Sequence, residues 1–177
     1  MKTLQGYGVT LEPVKHSDIE MVRNWRNDPN VAGFMHFRDH ITREMQEKWF
    51  QSINSPSNAY FIIFIDNRPV GMTELKKIDH AQKTAEGGIF FHDSTLRHSI
   101  YPYAVILLRN RFGFNDLKLN SLYAHILDDN HRAIRFNRSL GYIPTEQCEE
   151  PGKRLYILTR DRFFESVAKY RNILEKL

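Results

Sequence analysis

Two glutamates in neighbouring predicted strands are the side chains best suited to acid–base chemistry. Glu74 lies in the segment VGMTEL, and Glu86 opens the segment TAEGGIFF. A carboxylate in a partly buried cleft has a raised pKa, which suits it to accept a proton. The alternative for each is a solvent-facing charge on a strand. His125, in the later segment NSLYAHIL, is either a proton relay or a packed histidine.

A predicted strand, loop and helix, GGIFFHDSTLRHSIYPYAVILLRNRFGF, form a candidate anion site. A loop that leads into a helix presents free N–H groups and the positive end of the helix dipole. Arg97 in this loop is either a solvated charge or a partner for phosphate oxygens, which its planar guanidinium group suits. Asn130, after the strand NSLYAHIL, is a helix cap, a ligand-binding side chain, or both.

An aromatic and basic group surrounds Pro29. Core packing is one interpretation, especially for Trp25 and Phe34. The other is a loop that covers a substrate and offers an aromatic platform to a sugar or a nucleobase. The group consists of Trp25, Arg26, Phe34, Met35, His36 and Phe37, of which Trp25, Arg26, Phe34 and His36 are the candidate substrate-binding residues.

Helix patterns dominate the first third of the chain. Ser17 and Glu20 have the spacing of a capping box before a first helix. Thr42 can cap a second helix, whose apolar stripe is Met45, Trp49 and Ile53. Strand patterns then follow in YFIIFI, VGMTEL and TAEGGIFF, with DNRP as a turn between the first two.

The second half alternates between helix and strand. A long helix from about Ile100 to Phe114 leads to the strand NSLYAHIL, a short helix capped at Asp129 or Asn130, a final hairpin and a C-terminal helix. The whole order is β-α-α-β-β-β-α-β-α-β-β-α. It predicts an α/β fold with one mixed sheet that contains a parallel strand pair and is flanked by helices. A length of 177 residues predicts a single domain over residues 1–177.

Composition argues against several classes of protein. No apolar run approaches the ~20 residues of a membrane span, and the N-terminus has no apolar signal region. The single cysteine, Cys148, cannot form an internal disulfide, and no Cys/His pattern has zinc spacing. We therefore expect a cytoplasmic protein without a bound metal. The sequence also contains no P-loop, dinucleotide-binding, zinc-protease or serine-hydrolase motif.

The charge of +4 comes from scattered lysines and arginines. A nucleic-acid-binding protein usually concentrates basic residues on one face, so we expect no nucleic-acid partner. The segments RNRFGFNDLK and NHRAIRFNRS are locally basic. They are either solvated helix faces or a source of attraction for a polyanionic cofactor.

The segment LYAHILDDNHRAIRFNRSLGY resembles the N-x-x-[AS]…L-G-[FY] segment of the GCN5-related N-acetyltransferase (GNAT) superfamily. The opening LEPVKHSDIEMVRNWRNDPNV resembles two branches, which acetylate ribosomal-protein N-termini and nucleotide-linked amino sugars of pseudaminic-acid biosynthesis. RPVGMTEL is similar to the x-x-x-G-x-x-x-L strand of these branches. The resemblance covers essentially the whole chain and rests on the shared order and spacing of degenerate motifs.

The resemblance implies an enzyme that moves the acetyl group of acetyl-CoA to a primary amine, with Glu86 or Glu74 as the base. The mostly antiparallel sheet would contain a parallel pair, AEGGIFF and LYAHIL, that splays apart and holds the pantetheine arm. The loop after the first of these strands would hold the pyrophosphate. The residues assigned to the coenzyme are Phe90, Phe91, Arg97, His98, Ser99, Ile100, Asn130 and Asn137.

Two departures from the family pattern support a second hypothesis, a degenerate member that binds a ligand without catalysis. The family loop [QR]-x-x-G-x-[GA] corresponds to residues 97–102, which contain no glycine, and Pro102 has no N–H to donate. Asn137 stands where many members have a tyrosine that protonates the leaving thiolate. Asparagine can hydrogen-bond the sulfur, and water can supply the proton.

The acceptor is a small molecule or a peptide amine. Of these we favour an amino sugar linked to a nucleotide, with a ribosomal-protein N-terminus as the alternative. No membrane partner is expected. The apolar C-terminal helix or a strand edge could form a homodimer.

Overall fold

A mixed β-sheet with helices on both faces makes up the computed structural model, which describes residues 1–33, 37–146 and 151–174. The strands are β1 (Leu4–Gly6), β2 (Val9–Pro13), β3 (Ala59–Ile65), β4 (Arg68–Asp79), β5 (Thr84–Phe91), β6 (Ser121–Leu127), β7 (Ile143–Pro144) and β8 (Lys153–Thr159). The helices are α1 (Ile19–Asn27), α2 (Pro29–Ala32), α3 (Arg43–Ile53), α4 (Tyr101–Arg111), α5 (His131–Ser139) and α6 (Arg160–Leu174).

These eight strands lie in the order β1-β2-β3-β4-β5-β6-β8-β7. The central pair, β5 and β6, is parallel, whereas the other neighbours are antiparallel, and the connection from β5 to β6 passes through α4. The predicted DNRP turn joins β3 to β4, with φ of 50° at Asp66 and 59° at Asn67. Two consecutive residues with positive φ are typical of the tight hairpin turns that match the twist of antiparallel strands. The predicted α/β fold with one mixed sheet is confirmed.

The two faces of the sheet have separate cores. On one face the main core contains Leu107 of α4, Leu122 of β6 and Phe163 of α6, all fully buried. On the other face a smaller core joins Val22 of α1 to Ile62 of β3. Side chains on alternating positions of β4, β5 and β6 therefore face either α4 and α5 or the helices α1 to α3.

Two predicted helix caps are confirmed. Thr42 Oγ1 accepts a hydrogen bond from Met45 N at 3.2 Å, and Asn130 Oδ1 accepts one from Ala133 N at 3.0 Å. The predicted apolar stripe of α3 is wrong at Met45, which is 39% exposed, whereas Gln46 beside it is buried. The predicted capping box of Ser17 and Glu20 is replaced by a single bond two residues earlier, in which Lys15 N donates to Asp18 Oδ2 at 2.8 Å.

Three element boundaries also differ from prediction. The helix predicted over Ile100–Phe114 ends at Arg111 and continues as a π-helical turn, Phe112–Asp116. The strand predicted in YIPTEQ is only two residues long, Ile143–Pro144, although Thr145 N still donates to the carbonyl oxygen of Leu155 in β8 at 2.9 Å. The N-terminal strand β1, which pairs with β2, was not predicted.

Candidate functional site

The parallel strands β5 and β6 are paired over only three residues each. The pairs are Thr84 with Ser121, Ala85 with Leu122 and Glu86 with Tyr123. Beyond them, β5 continues along β4 as far as Phe91, and β6 continues along β8 as far as Leu127. Each strand thus keeps its outer partner and loses its inner one, which opens a V-shaped cleft. The predicted divergence of these strands is confirmed.

A cavity of about 640 Å³ is lined by the end of β5, the loop that follows it and the helices α4 and α5. Its walls bring together six of the eight residues predicted to bind a coenzyme: Phe90, Phe91, Arg97, His98, Ser99 and Asn130. The other two, Ile100 and Asn137, do not line it. The cavity is large enough for an extended small-molecule ligand, since such sites typically measure about 300–1,000 Å³.

Helix α5 contributes a wall that the sequence reasoning did not assign. Arg132, Arg135 and Phe136 line the cavity from this helix, and Tyr103 of α4 stacks edge-on against Phe136 at 4.8 Å. Residues three and four apart share one face of a helix, so the spacing of Arg132, Arg135 and Phe136 was the available signal. The Asn130 cap fixes where this helix begins and hence which face meets the cavity.

The cavity mouth is rich in positive charge. Arg97 donates to the carbonyl oxygens of Phe91 (3.1 and 3.3 Å) and Asn30 (2.8 Å), which ties the loop after β5 to α2. Arg132 donates to the carbonyl oxygen of Arg97. Burial and the nearby Arg97 charge lower the pKa of Arg132. Two guanidinium groups held this close create a positive potential that favours an anion.

Glu74 lies at the apex of the cleft, on the face of the sheet covered by α1 to α3. A β-carbon on Gly88 would fall 2.8 Å from its Cδ, so its carboxylate lies directly over the Gly88 backbone. Burial raises the pKa of Glu74, and the charges of Lys76, Arg109 and Arg26 only partly offset this effect. Glu74 therefore binds a proton more readily than an ordinary surface carboxylate.

Glu86 forms an ion-paired cluster at the last residue pair that joins β5 to β6. Its Oε1 is 3.1 Å from Lys76 Nζ and 3.3 Å from His125 Nδ1, and its Oε2 is 3.1 Å from Lys77 Nζ. Burial acts to raise the pKa of Glu86, but the two lysines outweigh burial and lower it to about 2. The cluster places three of the predicted catalytic candidates, Glu74, Glu86 and His125, on the same part of the sheet.

The group around Pro29 is only partly described. Trp25 is 7% exposed in the smaller core, and its indole stacks on His92 at 5.6 Å. Arg26 is largely buried near Glu74 and Tyr60, and its pKa is lowered by that burial. Phe34 and His36 lie outside the described residues. Among the four predicted substrate-binding residues, Arg26 is therefore the one that brings a charge close to Glu74 at the apex of the cleft.

Asn137 faces its own helix. Its Nδ2 donates to the carbonyl oxygen of Ala133 at 2.9 Å. On the cavity wall itself, Ser139 Oγ donates to the hydroxyl of Tyr103 at 3.3 Å. Tyr103 of α4 therefore brings a phenol to the cavity wall, whereas Asn137 of α5 does not line the cavity.

Comparison with known proteins agrees with this geometry. Residues 9–143 match the family model of the acetyltransferase (GNAT) domain. The acetyltransferase PseH of Campylobacter jejuni is 26% identical over 121 residues, which cover 67% of this chain and 72% of PseH. The spermidine N(1)-acetyltransferase of Escherichia coli K12 is 25% identical over 137 residues, which cover 77% of this chain and 73% of that enzyme.

Two solved structures share the fold. Apo FdhC, described as a nucleotide-linked sugar GNAT, has a TM-score of 0.82 and 19% identity, with 98% of each chain covered. The spermidine N-acetyltransferase of Vibrio cholerae, solved with CoA and spermine, has a TM-score of 0.78 and 16% identity, with 89% of this chain and 98% of that chain covered. The predicted fold is thus confirmed a second time. Among the helices of the described residues, none has the length and hydrophobicity that crossing a membrane requires.

Proposed function

Because the chain belongs to the acetyltransferase (GNAT) domain family, we propose that it transfers the acetyl group of acetyl-CoA to a primary amine on a nucleotide-linked sugar. The observation that carries this proposal is the cleft between β5 and β6. Past Glu86 and Tyr123, the inner edges of both strands have no strand partner among the described residues. An extended pantetheine arm fits between such edges and can bond to their free N–H and C=O groups.

The basic mouth of the cavity supports binding of the coenzyme phosphates. The loop lacks the family glycines, and Pro102 in the first turn of α4 has no N–H. Arg132 and Arg135 of α5 provide positive charge on the same cavity, and His98 lines it beside them. Arginine binds phosphate oxygens with strong, charge-assisted hydrogen bonds. In this proposal, side chains supply much of the attraction for the phosphates that backbone N–H groups supply where the loop contains the family glycines.

Glu74 is the better candidate for the base. An alkylammonium has a pKa near ~10, and each unit of pKa difference corresponds to about 1.4 kcal/mol. Transfer of its proton to Glu86, with a pKa of about 2, is therefore unfavourable by on the order of 10 kcal/mol. The raised pKa of Glu74 narrows that gap. Glu86 instead holds Lys76 and Lys77 in place beside the apex.

The reaction follows from these positions. Glu74 takes a proton from the ammonium, and the neutral amine attacks the thioester carbonyl carbon. A C–N bond forms and the C–S bond breaks. The nitrogen then loses a proton and the thiolate takes one up. Either water relays that same proton to the sulfur, or the Tyr103 hydroxyl protonates the sulfur and regains the nitrogen's proton through water.

Charge favours a nucleotide-linked amino sugar over a polyamine as acceptor. Glu86 is paired with two lysines, and Glu74 lies among the positive charges of Lys76, Arg109 and Arg26. A polycation such as spermidine needs acidic groups that are not already balanced. A diphosphate-bearing acceptor gains from Arg26 and the lysines instead. FdhC, whose fold this chain shares, is described as a nucleotide-linked sugar GNAT.

A thiol-release assay with acetyl-CoA tests the proposal. The panel should contain a nucleotide-linked amino sugar, the same amino sugar without the nucleotide, spermidine and a ribosomal-protein N-terminal peptide, with mass spectrometry of each product. We expect kcat/KM for the nucleotide-linked sugar to exceed that for spermidine by at least about 100-fold, or about 2.7 kcal/mol. A higher kcat/KM for spermidine or the peptide would overturn the acceptor. No turnover with any amine would support the non-catalytic alternative.

A further inference from the structure

A buried guanidinium group lies beneath the apex of the cleft. Arg109 belongs to α4 and is only 2% exposed. Its Nε and Nη2 donate to Asn110 Oδ1 at 3.1 and 2.8 Å, and its Nη1 donates to the carbonyl oxygen of Gly88 at 2.9 Å. The hydroxyl of Thr73 is 3.4 Å from the same Nη1. In the described part of the chain, no carboxylate forms an ion pair with Arg109.

A buried charge without an ion pair is costly. Removing a cation from water costs several kcal/mol unless a counter-charge and hydrogen bonds replace the lost hydration. Arg109 has hydrogen bonds to neutral oxygens, while the buried Tyr142 hydroxyl and, from across the sheet, Glu74 also act on its charge. A neutral residue of the same volume would cost less. The charge therefore requires an explanation other than stability.

Arg109 helps to hold one backbone peptide in place. The antiparallel register with β4 turns the carbonyl oxygen of Gly88 towards β4, and this oxygen also accepts from Arg109 Nη1 at 2.9 Å and from Thr73 Oγ1 at 2.8 Å. In a planar trans peptide the N–H points opposite to the C=O. The N–H of this peptide belongs to Ile89, which lines the cavity. It is therefore directed away from β4, towards the inner edge of β5 that no longer pairs with β6.

Two glycines make this arrangement sterically possible. A β-carbon on Gly87 would lie 2.7 Å from Arg109 Nη2, so glycine at this position lets the guanidinium reach the strand. A β-carbon on Gly88 would collide with the Glu74 carboxylate on the opposite face. The pair Gly87-Gly88 thus separates a buried cation from a buried carboxylate by the thickness of one strand.

We propose that Arg109 is a positioning residue that holds the Ile89 N–H in place towards the thioester carbonyl and, through its charge, keeps Glu74 ionised. This role rests on the proposed acetyl transfer. A donor that is oriented before the reaction stabilises the negative charge that develops on the carbonyl oxygen. A fixed positive charge across one strand favours the carboxylate form of Glu74. Both effects come from a side chain that does not touch either substrate.

Other charged groups also act on Glu74. Lys76 and Arg26 favour its carboxylate form, whereas the negative charge of Glu86 opposes that form. These groups stay in place when Arg109 is replaced, so a change in the titration of Glu74 reports the loss of the Arg109 charge.

The test compares Arg109→Met, Arg109→Lys and Thr73→Val with the wild type. The protein is labelled with 15N-isoleucine, and an Ile89→Val sample identifies the Ile89 amide signal. This amide proton should shift downfield when acetyl-CoA is added but not when CoA is added. Arg109→Met should lose this shift, lower kcat about 100-fold and move the acidic limb of the kcat–pH profile to higher pH. Arg109→Lys should keep the position of the limb, because it keeps the charge.

Thr73→Val separates orientation from charge and remains informative if Arg109→Met does not fold. It removes one donor to the Gly88 carbonyl, so the Ile89 shift should shrink while the acidic limb stays in place. Thermal unfolding and the Kd for CoA check that each variant is folded. Wild-type values of the shift, kcat and pH limb in folded Arg109→Met would overturn the inference. A wild type that neither binds acetyl-CoA nor turns over would remove the proposed function instead, and this role with it.

Discussion

The carboxylate of Glu74 covers the backbone of Gly88 so closely that a β-carbon at position 88 would fall 2.8 Å from Glu74 Cδ. Gly88 lies two residues beyond Glu86, the last residue of β5 that pairs with β6. The carboxylate is therefore held where the two strands begin to diverge. A thioester in the cleft and an amine from the α1–α3 side would meet at this point.

The first prediction concerns the identity of the base. Glu74→Gln should lower kcat by about 10²–10⁴-fold, because a general base typically contributes that much. It should also abolish the acidic limb of the kcat–pH profile. Glu86→Gln is the matched control in the neighbouring strand and should have a smaller effect on kcat. The reverse ranking of the two variants would assign the base to Glu86.

Glu74→Gln should also make the protein more stable at neutral pH. The pKa of Glu74 is raised in the folded state, so its contribution to stability is greatest below the unfolded pKa. That contribution is lost as the pH rises through the folded pKa. The amide removes this penalty. Urea unfolding should show that Glu74→Gln gains more stability over the wild type at pH 8 than at pH 5. Equal gains at the two pH values would contradict the raised pKa of Glu74.

The second prediction tests the close approach of Glu74 and Gly88. Gly88→Ala should displace the carboxylate and lower kcat by at least about 100-fold, since a shift of about 1 Å at an active site can cost this much. The KM for acetyl-CoA should rise less, because the basic mouth of the cavity is unchanged. Steady-state kinetics together with thermal unfolding separate this effect from loss of fold. A wild-type kcat in the folded Gly88→Ala variant would show that the carboxylate position is unimportant.

The third prediction concerns pH and the Glu86 cluster. The pKa of Glu86 in the folded protein is about 2, below its ordinary value of 4.5. The contribution of Glu86 to the stability of the fold is therefore fully present above pH 4.5 and is lost as the pH falls towards 2. Lys77 is largely exposed, so solvent screens its attraction to Glu86. We therefore expect Glu86 to contribute only about 1–2 kcal/mol to the free energy of unfolding.

The stability difference between the wild type and Glu86→Gln measures that contribution. Urea unfolding should show the difference shrinking between pH 4.5 and the lowest pH at which the fold persists. His125→Ala, which leaves both lysines in place, is the control and should keep most of the effect. A pH-independent difference would contradict the ion-paired cluster.

The fourth prediction tests the basic wall of the cavity. Arg135→Gln should raise the KM for acetyl-CoA about 10-fold, equivalent to about 1.4 kcal/mol, by removing a phosphate partner. It should also weaken the dependence of KM on salt. Arg138 lies on the same helix but does not line the cavity, so Arg138→Gln is the matched control. Equal effects of the two substitutions would indicate general electrostatic attraction instead of a specific site.

Local patterns predicted much of the fold. The Asn130 and Thr42 caps, the DNRP turn and most of the order of helices and strands along the chain follow from signals within a few residues of one another. The coenzyme-side residues Phe90, Phe91 and Asn130 were predicted from the family resemblance and line the cavity. These positions are fixed mainly by the path of the backbone.

Long-range side-chain partners could not be predicted in the same way. Sequence reasoning treated Glu74 and Glu86 alike, yet Glu86 has two lysine partners, one of them at the irregular position Lys77 with φ of 51°. Arg109 lies in the apolar run YAVILLRN, where nothing local shows that the side chain reaches Gly88. Such contacts depend on how α4 crosses the sheet. The single-domain organisation over residues 1–177 stays a prediction.

Calorimetric titration with acetyl-CoA tests the central claim most directly, because every other step depends on the cleft between β5 and β6 holding the thioester. We predict one binding site with a Kd of about 1–100 μM, or about −8 to −5.5 kcal/mol, and weaker binding by Arg135→Gln. No detectable binding of acetyl-CoA to the wild type up to millimolar concentration would contradict the account.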